Sequence, residues 1–213
     1  MKLTFKYNQD KDIWCLLNKG KSSINSPYPT KVYKELEKEF GENPSEKDIK
    51  LFVEKYISNN NLNIKDFVEK YQKDWDSISG EYQKIAEKIF KASLPKDIIA
   101  YLTINNRCPY NIKDNFFFVS IPDELHLRKI VMHELWHFYT WYKFGYIWES
   151  KIGKEKYNEL KESLTVLLNI ECKNLLSESI IDKGYPQHKE LREKILKLWE
   201  KTKDIDKVWD SLI

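Results

Sequence analysis

The sequence predicts an α+β protein, mostly helical, on three observations. Apolar and aromatic residues recur at three- and four-residue spacing over most of 31–92. Two short runs rich in β-branched and aromatic residues follow, 98–104 (IIAYLTI) and 115–121 (NFFFVSI). An apolar run of helix length, 130–142 (IVMHELWHFYTWY), then opens a second stretch of helical pattern that reaches the end of the chain. At 213 residues the chain reads as a single domain, 1–213. Residues 1–97 form a mainly helical part, and 98–213 carry the strands, a motif helix, a following helix and a C-terminal helix.

In chain order, the opening KLTFKYN alternates and suits a short strand, 12–18 is an apolar run of either type, and 22–30 (SSINSPYPT) is loop chemistry with two prolines. Helices are expected over 31–40, 45–58, 64–77 and 82–92. They are separated by Gly41-Glu42-Asn43-Pro44, by Asn59-Asn60-Asn61 and by Ser79-Gly80. Their stripes, such as Leu51, Tyr56 and Ile57 or Phe67, Val68 and Tyr71, read as core. A turn-like segment, 105–111 (NNRCPYN), separates the two later strands. Ser120 or Asp123 caps the motif helix, which runs to about Lys143 with Gly145 as its C-cap. A long helix is expected over 154–177, and after the break at Gly184-Tyr185-Pro186 an amphipathic helix covers 187–201.

Composition excludes several classes. Hydrophobic residues make up 41% and aromatic residues 14%, enough for a core, while charged residues at 32% leave a net charge of only +3. With lysines interleaved among glutamates, no basic block points to nucleic acid. No apolar run is long enough to cross a membrane, and the first residues turn charged before any signal-type apolar region forms. Cys15, Cys108 and Cys172 are odd in number and lack metal spacing, so they read as reduced thiols of a cytoplasmic protein.

The chemistry concentrates at His133-Glu134-Leu135-Trp136-His137. On a helix, residues four apart share a face, so both imidazoles can address one metal ion, with Glu134 one step round beside a bound water. Within 130–142 the three motif residues and the lysine-free, carboxylate-free surroundings make a helix that is apolar nearly all round, hence buried. Burying a glutamate and two imidazoles without partners costs several kcal/mol, and a metal ion resolves that cost by taking the imidazoles as ligands and giving the carboxylate a water to bind. The plainer alternative is a core helix whose histidines are satisfied by backbone or neighbouring side chains.

With its HExxH helix after a small set of strands, the sequence resembles the zincin metallopeptidases. The metzincin extension HExxHxxGxxH does not fit, because Thr140 and Lys143 stand at its last two positions, and no GTxD-like segment follows. The resemblance is therefore to the gluzincin, thermolysin-like arrangement, which implies a zincin-like core, one Zn²⁺ per chain, and a third ligand that is a glutamate from an antiparallel following helix. If that helix starts near Lys154, it draws level with the histidines at about 160–164. Glu162 lies in that window and opens an apolar half-helix, while Glu159, one turn earlier after Asn158, is the alternative. Glu149 precedes the helix, and Glu171 and Glu178 lie too far along it.

The resemblance implies peptide-bond hydrolysis of a peptide or protein substrate, with His133, His137 and Glu162 as metal ligands and Glu134 as general base. It further implies an edge strand at 115–120 that pairs with extended substrate, and an oxyanion donor downstream of the third ligand, for which His188 and Tyr185 are candidates. A metal-stabilised binding or regulatory module without turnover is the competing reading. The retained Glu134 weighs against it, since binding metal does not require that residue.

Overall fold

Among the described residues three of the four strands lie parallel, and the first of the two crossovers between them carries the helices of the N-terminal half. The structure is a computed structural model that describes residues 1–22, 27–121, 126–176 and 180–213. Asp123 as a helix cap, part of the 22–30 loop and Glu178 lie outside the described residues. The described chain is α+β and mostly helical with a small mixed sheet. It packs as two units, each assembled from more than one stretch of sequence.

The sheet unit comprises Lys2–Trp75 and Asp97–Leu127. Strand β1 (Lys2–Tyr7) pairs parallel with β2 (Asp97–Thr103), which on its other side pairs parallel with β4 (Phe116–Ser120). The segment expected as a turn holds a two-residue strand, β3 (Tyr110–Asn111), antiparallel to β4, so the order is β1-β2-β4-β3. Strand β4 is thus an interior strand and not the edge strand expected for substrate pairing. The cause is local: residues 104–115 make the crossover that a parallel β2–β4 pair requires, and β3 forms on the way back.

Strand alternation sends Leu3, Phe5, Ile98, Ala100, Leu102, Phe117 and Val119 into one buried layer. On the other face Phe116 and Phe118 pack with Cys15, Ile99 and Tyr101, as expected of core phenylalanines. Cys15 ends α1 (Gln9–Cys15), which Asn8 caps by accepting from the Lys11 N–H, and the chain continues π-helically over Leu16–Gly20. The run of uncertain type at 12–18 is therefore helical. Next come α2 (Lys31–Phe40), capped by Thr30, α3 (Glu46–Asn59), opened by a Ser45/Asp48 capping box, and α4 (Ile64–Asp76). Gln72 of α4 donates to the Leu3 carbonyl (3.1 Å) and accepts from the Phe5 N–H (3.0 Å), covering part of the edge of β1.

The helical unit comprises Met1, Asp76–Lys96 and Arg128–Ile213. Helix α5 (Ser79–Phe90) packs on α6 (Leu127–Thr140) through Tyr82 and Phe90 against Trp136 and Tyr139, and the Tyr82 hydroxyl donates to the Met132 carbonyl (3.0 Å). The motif helix does not end at Gly145. It passes through a π-helical segment, Trp141–Gly145, directly into α7 (Tyr146–Ile152). Gly145 has a helical φ of −56°. A Cβ there would meet the Trp141 ring at 2.2 Å, so close packing explains this glycine and capping does not. The break comes at Gly153, whose φ of +83° suits a residue without Cβ.

Helix α8 (Lys154–Leu164) then returns alongside α6. Trp141 meets Tyr157 edge-on at 5.8 Å and the Trp136 indole N–H donates to the Leu164 carbonyl (3.1 Å), so contacts climb one helix as they descend the other. The pair is antiparallel, as expected. The stretch expected as one helix to 177 is instead a chain of short pieces: a 3-10 turn (Thr165–Leu167), α9 (Leu168–Glu171) and a second 3-10 turn (Lys173–Leu175). Thr165 and Val166 are β-branched, and the Thr165 hydroxyl draws on the Glu162 carbonyl (2.7 Å), which loosens the helical ladder there. After a 3-10 turn (Pro186–His188), α10 (Lys189–Thr202) and α11 (Ile205–Asp210) close the unit. Trp209 of α11 stacks on Phe144 at 4.1 Å. All three cysteines are free, and no described helix is long and apolar enough to cross a membrane.

Candidate metal centre

His133 and His137 sit one turn apart on α6 with ring centroids 4.4 Å apart, the i, i+4 geometry that the motif's spacing requires. Both turn their Nε2 toward one oxygen of Glu162 on α8. Nε2 of His133 is 3.5 Å, and Nε2 of His137 3.3 Å, from Glu162 Oε2. Among the described residues these three form a group whose potential ligand atoms all lie within 4.8 Å of one another. Three donors around a four-coordinate ion with bonds of ~2.0–2.1 Å stand roughly 3.3–3.5 Å apart. The two contacts at Oε2 have that separation, and two nitrogens with one carboxylate oxygen are a donor set that zinc accepts. Glu159, the alternative, is exposed and outside the group.

Exposure is uneven. The side chains of His137 and Glu162 are 2% and 6% exposed, whereas that of His133 is 21% exposed, so His133 faces the side from which solvent reaches the group. Glu134 is buried, and its Oε2 has no hydrogen-bond partner. A buried carboxylate oxygen left this way costs free energy, and a water held beside the three grouped side chains would answer it. Burial, reinforced by the negative charges of Glu162 and Asp182 against the opposing pull of His133 and Lys161, pushes the Glu134 carboxyl up to about 8.

Behind His133 lies a partner that the sequence analysis missed. Asp182 Oδ2 is 2.6 Å from His133 Nδ1, so the ring donates there and keeps Nε2 for a metal. Asp182 is itself held on every side. Arg192 of α10 donates through Nη2 to Oδ1 (2.9 Å) and to the Asp182 carbonyl (2.6 Å), and through Nη1 to the Thr165 hydroxyl (2.8 Å). Thr165 Oγ1 has one hydrogen to share between the Glu162 carbonyl (2.7 Å) and Asp182 Oδ1 (3.0 Å). The Asn169 amide both accepts from the Asp182 N–H (2.7 Å) and donates to its carbonyl (2.8 Å). Gly184 lets the chain pass over the arginine: its φ is +62°, and a Cβ would meet the guanidinium at 2.6 Å.

These charges set the protonation of the group. Burial disfavours charge on His133, but the adjoining Asp182, then Glu162 and Glu134, outweigh it and hold the ring protonated well above its usual range. Burial pushes His137 down to about 3, helped by the positive charges of Lys161 and His133, so its imidazole is neutral and ready to ligate. Asp182 and Glu162 are buried, yet their cationic partners hold both well below the usual carboxylate range.

His188 ends the 3-10 turn before α10, buried, edge-on to Tyr185 at 5.7 Å, with Nδ1 lacking a hydrogen-bond partner. It lies outside the His133, His137 and Glu162 group. Asp182 and Arg192 left little trace in the sequence, because neither is tied to the motif by helical spacing. The one available signal is Gly184, two residues after an aspartate, whose sequence context points to a break. Comparison with models of known families, with curated proteins and with solved structures gives no match to this chain.

Proposed function

We propose that this protein is a zinc-dependent peptidase of the gluzincin type, built on a zincin-like core. The observation that carries the reading is the convergence of His133, His137 and Glu162 next to a buried Glu134 whose Oε2 lacks a partner. A structural metal site would have no use for that carboxylate. The two imidazoles and Glu162 Oε2 would hold the ion, and the ion when bound would polarise a carbonyl and acidify the water beside it.

The remaining work belongs to the chain. Asp182 fixes the His133 ring by accepting from Nδ1, which keeps Nε2 a donor of electrons. Glu134 takes the proton of the attacking water and passes it to the leaving amine. Burial raises the Glu134 carboxyl, and the positive charge of a bound ion would act the opposite way, favouring the carboxylate that the base step needs. His188, with its unpartnered Nδ1, is the candidate donor to the developing oxyanion.

The test is metal content by mass spectrometry on tag-free protein, beside hydrolysis of a peptide library. Wild type should carry about one zinc per chain, Glu162→Ala should lose it, and Glu134→Gln should keep it while hydrolysis falls by about 10²–10⁴-fold or more. Zinc retained by an inactive wild type would favour a metal-stabilised binding module. Metal-free wild type, after zinc is offered and the excess dialysed away, would end both readings.

A further inference from the structure

Lys161, the residue before the third ligand, is buried to the same degree as the ligand itself. Its side chain is 3% exposed, in a helix whose other lysines, Lys154 and Lys156, are exposed. Taking an ammonium out of water costs several kcal/mol and is tolerated where the charge is paired and hydrogen-bonded. Adjacent residues on a helix do not face each other, so a contact between Lys161 and Glu162 is not what helical geometry provides by default. Both side chains nevertheless turn inward and meet, with Lys161 Nζ 3.0 Å from Glu162 Oε1. The two oxygens of one carboxylate are thereby divided. Oε2 faces the two imidazoles at 3.3 and 3.5 Å, and Oε1 faces the ammonium.

We infer that Lys161 is a positioning residue of the metal centre, which by holding Glu162 Oε1 restricts that glutamate to one-oxygen ligation and so preserves an open place for water. The inference rests on the metal reading given above. A carboxylate has two oxygens of equal basicity, and a glutamate free to rotate can offer both and fill the position that a reacting water needs. An ammonium on one oxygen removes that option. It also draws electron density from the carboxylate, so the third ligand neutralises less of the ion's charge. Arginine could keep the contact, whereas methionine matches the length of the lysine stem and supplies neither charge nor donor.

Cobalt(II), which reports coordination number through its visible spectrum, tests this on the full chain. Wild type should show the strong visible absorption of a four-coordinate site. Folded Lys161→Met should bind cobalt with that absorption at least twofold weaker, as a fifth ligand enters, and Lys161→Arg should regain it. X-ray absorption on zinc-loaded wild type, which needs no variant to fold, should find a single near oxygen from the carboxylate. A two-oxygen carboxylate in wild type, or an unchanged cobalt spectrum in folded Lys161→Met, overturns the role of Lys161 and leaves the metal site standing. Wild type that takes up neither metal overturns the site and this inference together.

Discussion

Replacing Asp182 by asparagine separates the two tasks of that residue. In the native arrangement Oδ2 accepts from His133 Nδ1 (2.6 Å) and Oδ1 from Arg192 Nη2 (2.9 Å). An asparagine has one oxygen for these two donors. If the oxygen stays with Arg192, the amide N–H faces His133 and drives its proton to Nε2, the atom that should bind metal. If it turns to His133, two donors meet at Arg192. Loss of a carboxylate behind a ligating histidine costs about 10–100-fold in metal affinity, or roughly 1.4–2.8 kcal/mol. Leaving a buried arginine without its counter-charge costs about 3–5 kcal/mol. The lower end applies, because the carbonyls of Asp182 and Glu162 and the Thr165 hydroxyl still accept from Arg192. For a chain of this size about 3 kcal/mol lowers Tm by roughly 6–12 °C. Zinc affinity is read by competition with a chromogenic chelator, and stability by thermal unfolding of the metal-free protein. Adding Arg192→Met should recover much of the stability and none of the affinity. An Asp182→Asn affinity within threefold of wild type, or its full recovery in the double variant, would refute the reasoning.

Three further outcomes follow from the same structure. Asp12 is fully buried, accepting from the Thr103 hydroxyl (2.5 Å) and the Ile104 N–H (3.1 Å), and burial pushes its carboxyl up to about 6. Since its folded pKa lies above the unfolded value of about 3.9, its stabilising share is complete below about pH 4 and is lost as pH rises through 6, a change of about 3 kcal/mol. Asp12→Asn should flatten that part of the pH dependence in urea unfolding at pH 4 and 8, and a wild-type difference no larger than the variant's would contradict it. Gly145→Ala should cost about 1–3 kcal/mol, because the new methyl meets the Trp141 ring at 2.2–2.9 Å, and equal chemical melting midpoints would show that the ring yields freely. Zinc uptake near neutral pH should release at least one proton, from the His133 held protonated beside Asp182, with Glu134 able to add to it. Calorimetry in buffers of different ionisation enthalpy measures this, and uptake without proton release would mean that His133 is already neutral.

The motif helix was legible because four-residue spacing has one structural meaning on a helix, and because an apolar run admits few homes for His133, Glu134 and His137. Glu162 was legible for a similar reason: an antiparallel neighbour narrows the choice to a turn, and the apolar half of α8 singles out the residue there. The end of the motif helix is not legible at Gly145, since a glycine after a helical run is as good a sign of close packing as of a cap, and only the Trp141 ring distinguishes the two. The sheet's parallel order was not legible, because alternation gives each strand two faces and says nothing of direction. Lys161 and Arg192 were hidden by their type, each being one charged residue among many in amphipathic helices. Burial alone sets them apart, and burial of a charge depends on a partner whose distance along the chain is unrestricted. Asp182, twenty residues past Glu162, is such a partner.

All three grouped ligands come from one helical hairpin, α6 to α8, but the carboxylate that aims His133 is clamped by α10. On the proposed metal reading, affinity would therefore gauge assembly at α10. A hairpin formed early in folding would present both imidazoles with one of them free to swivel, and would hold an ion loosely. Only when Arg192 arrives does Asp182 lock, and the ring with it. Any event that loosens α10, whether heat, a nearby cut or a bound protein, would be felt at the metal as a weaker grip long before the hairpin itself comes apart.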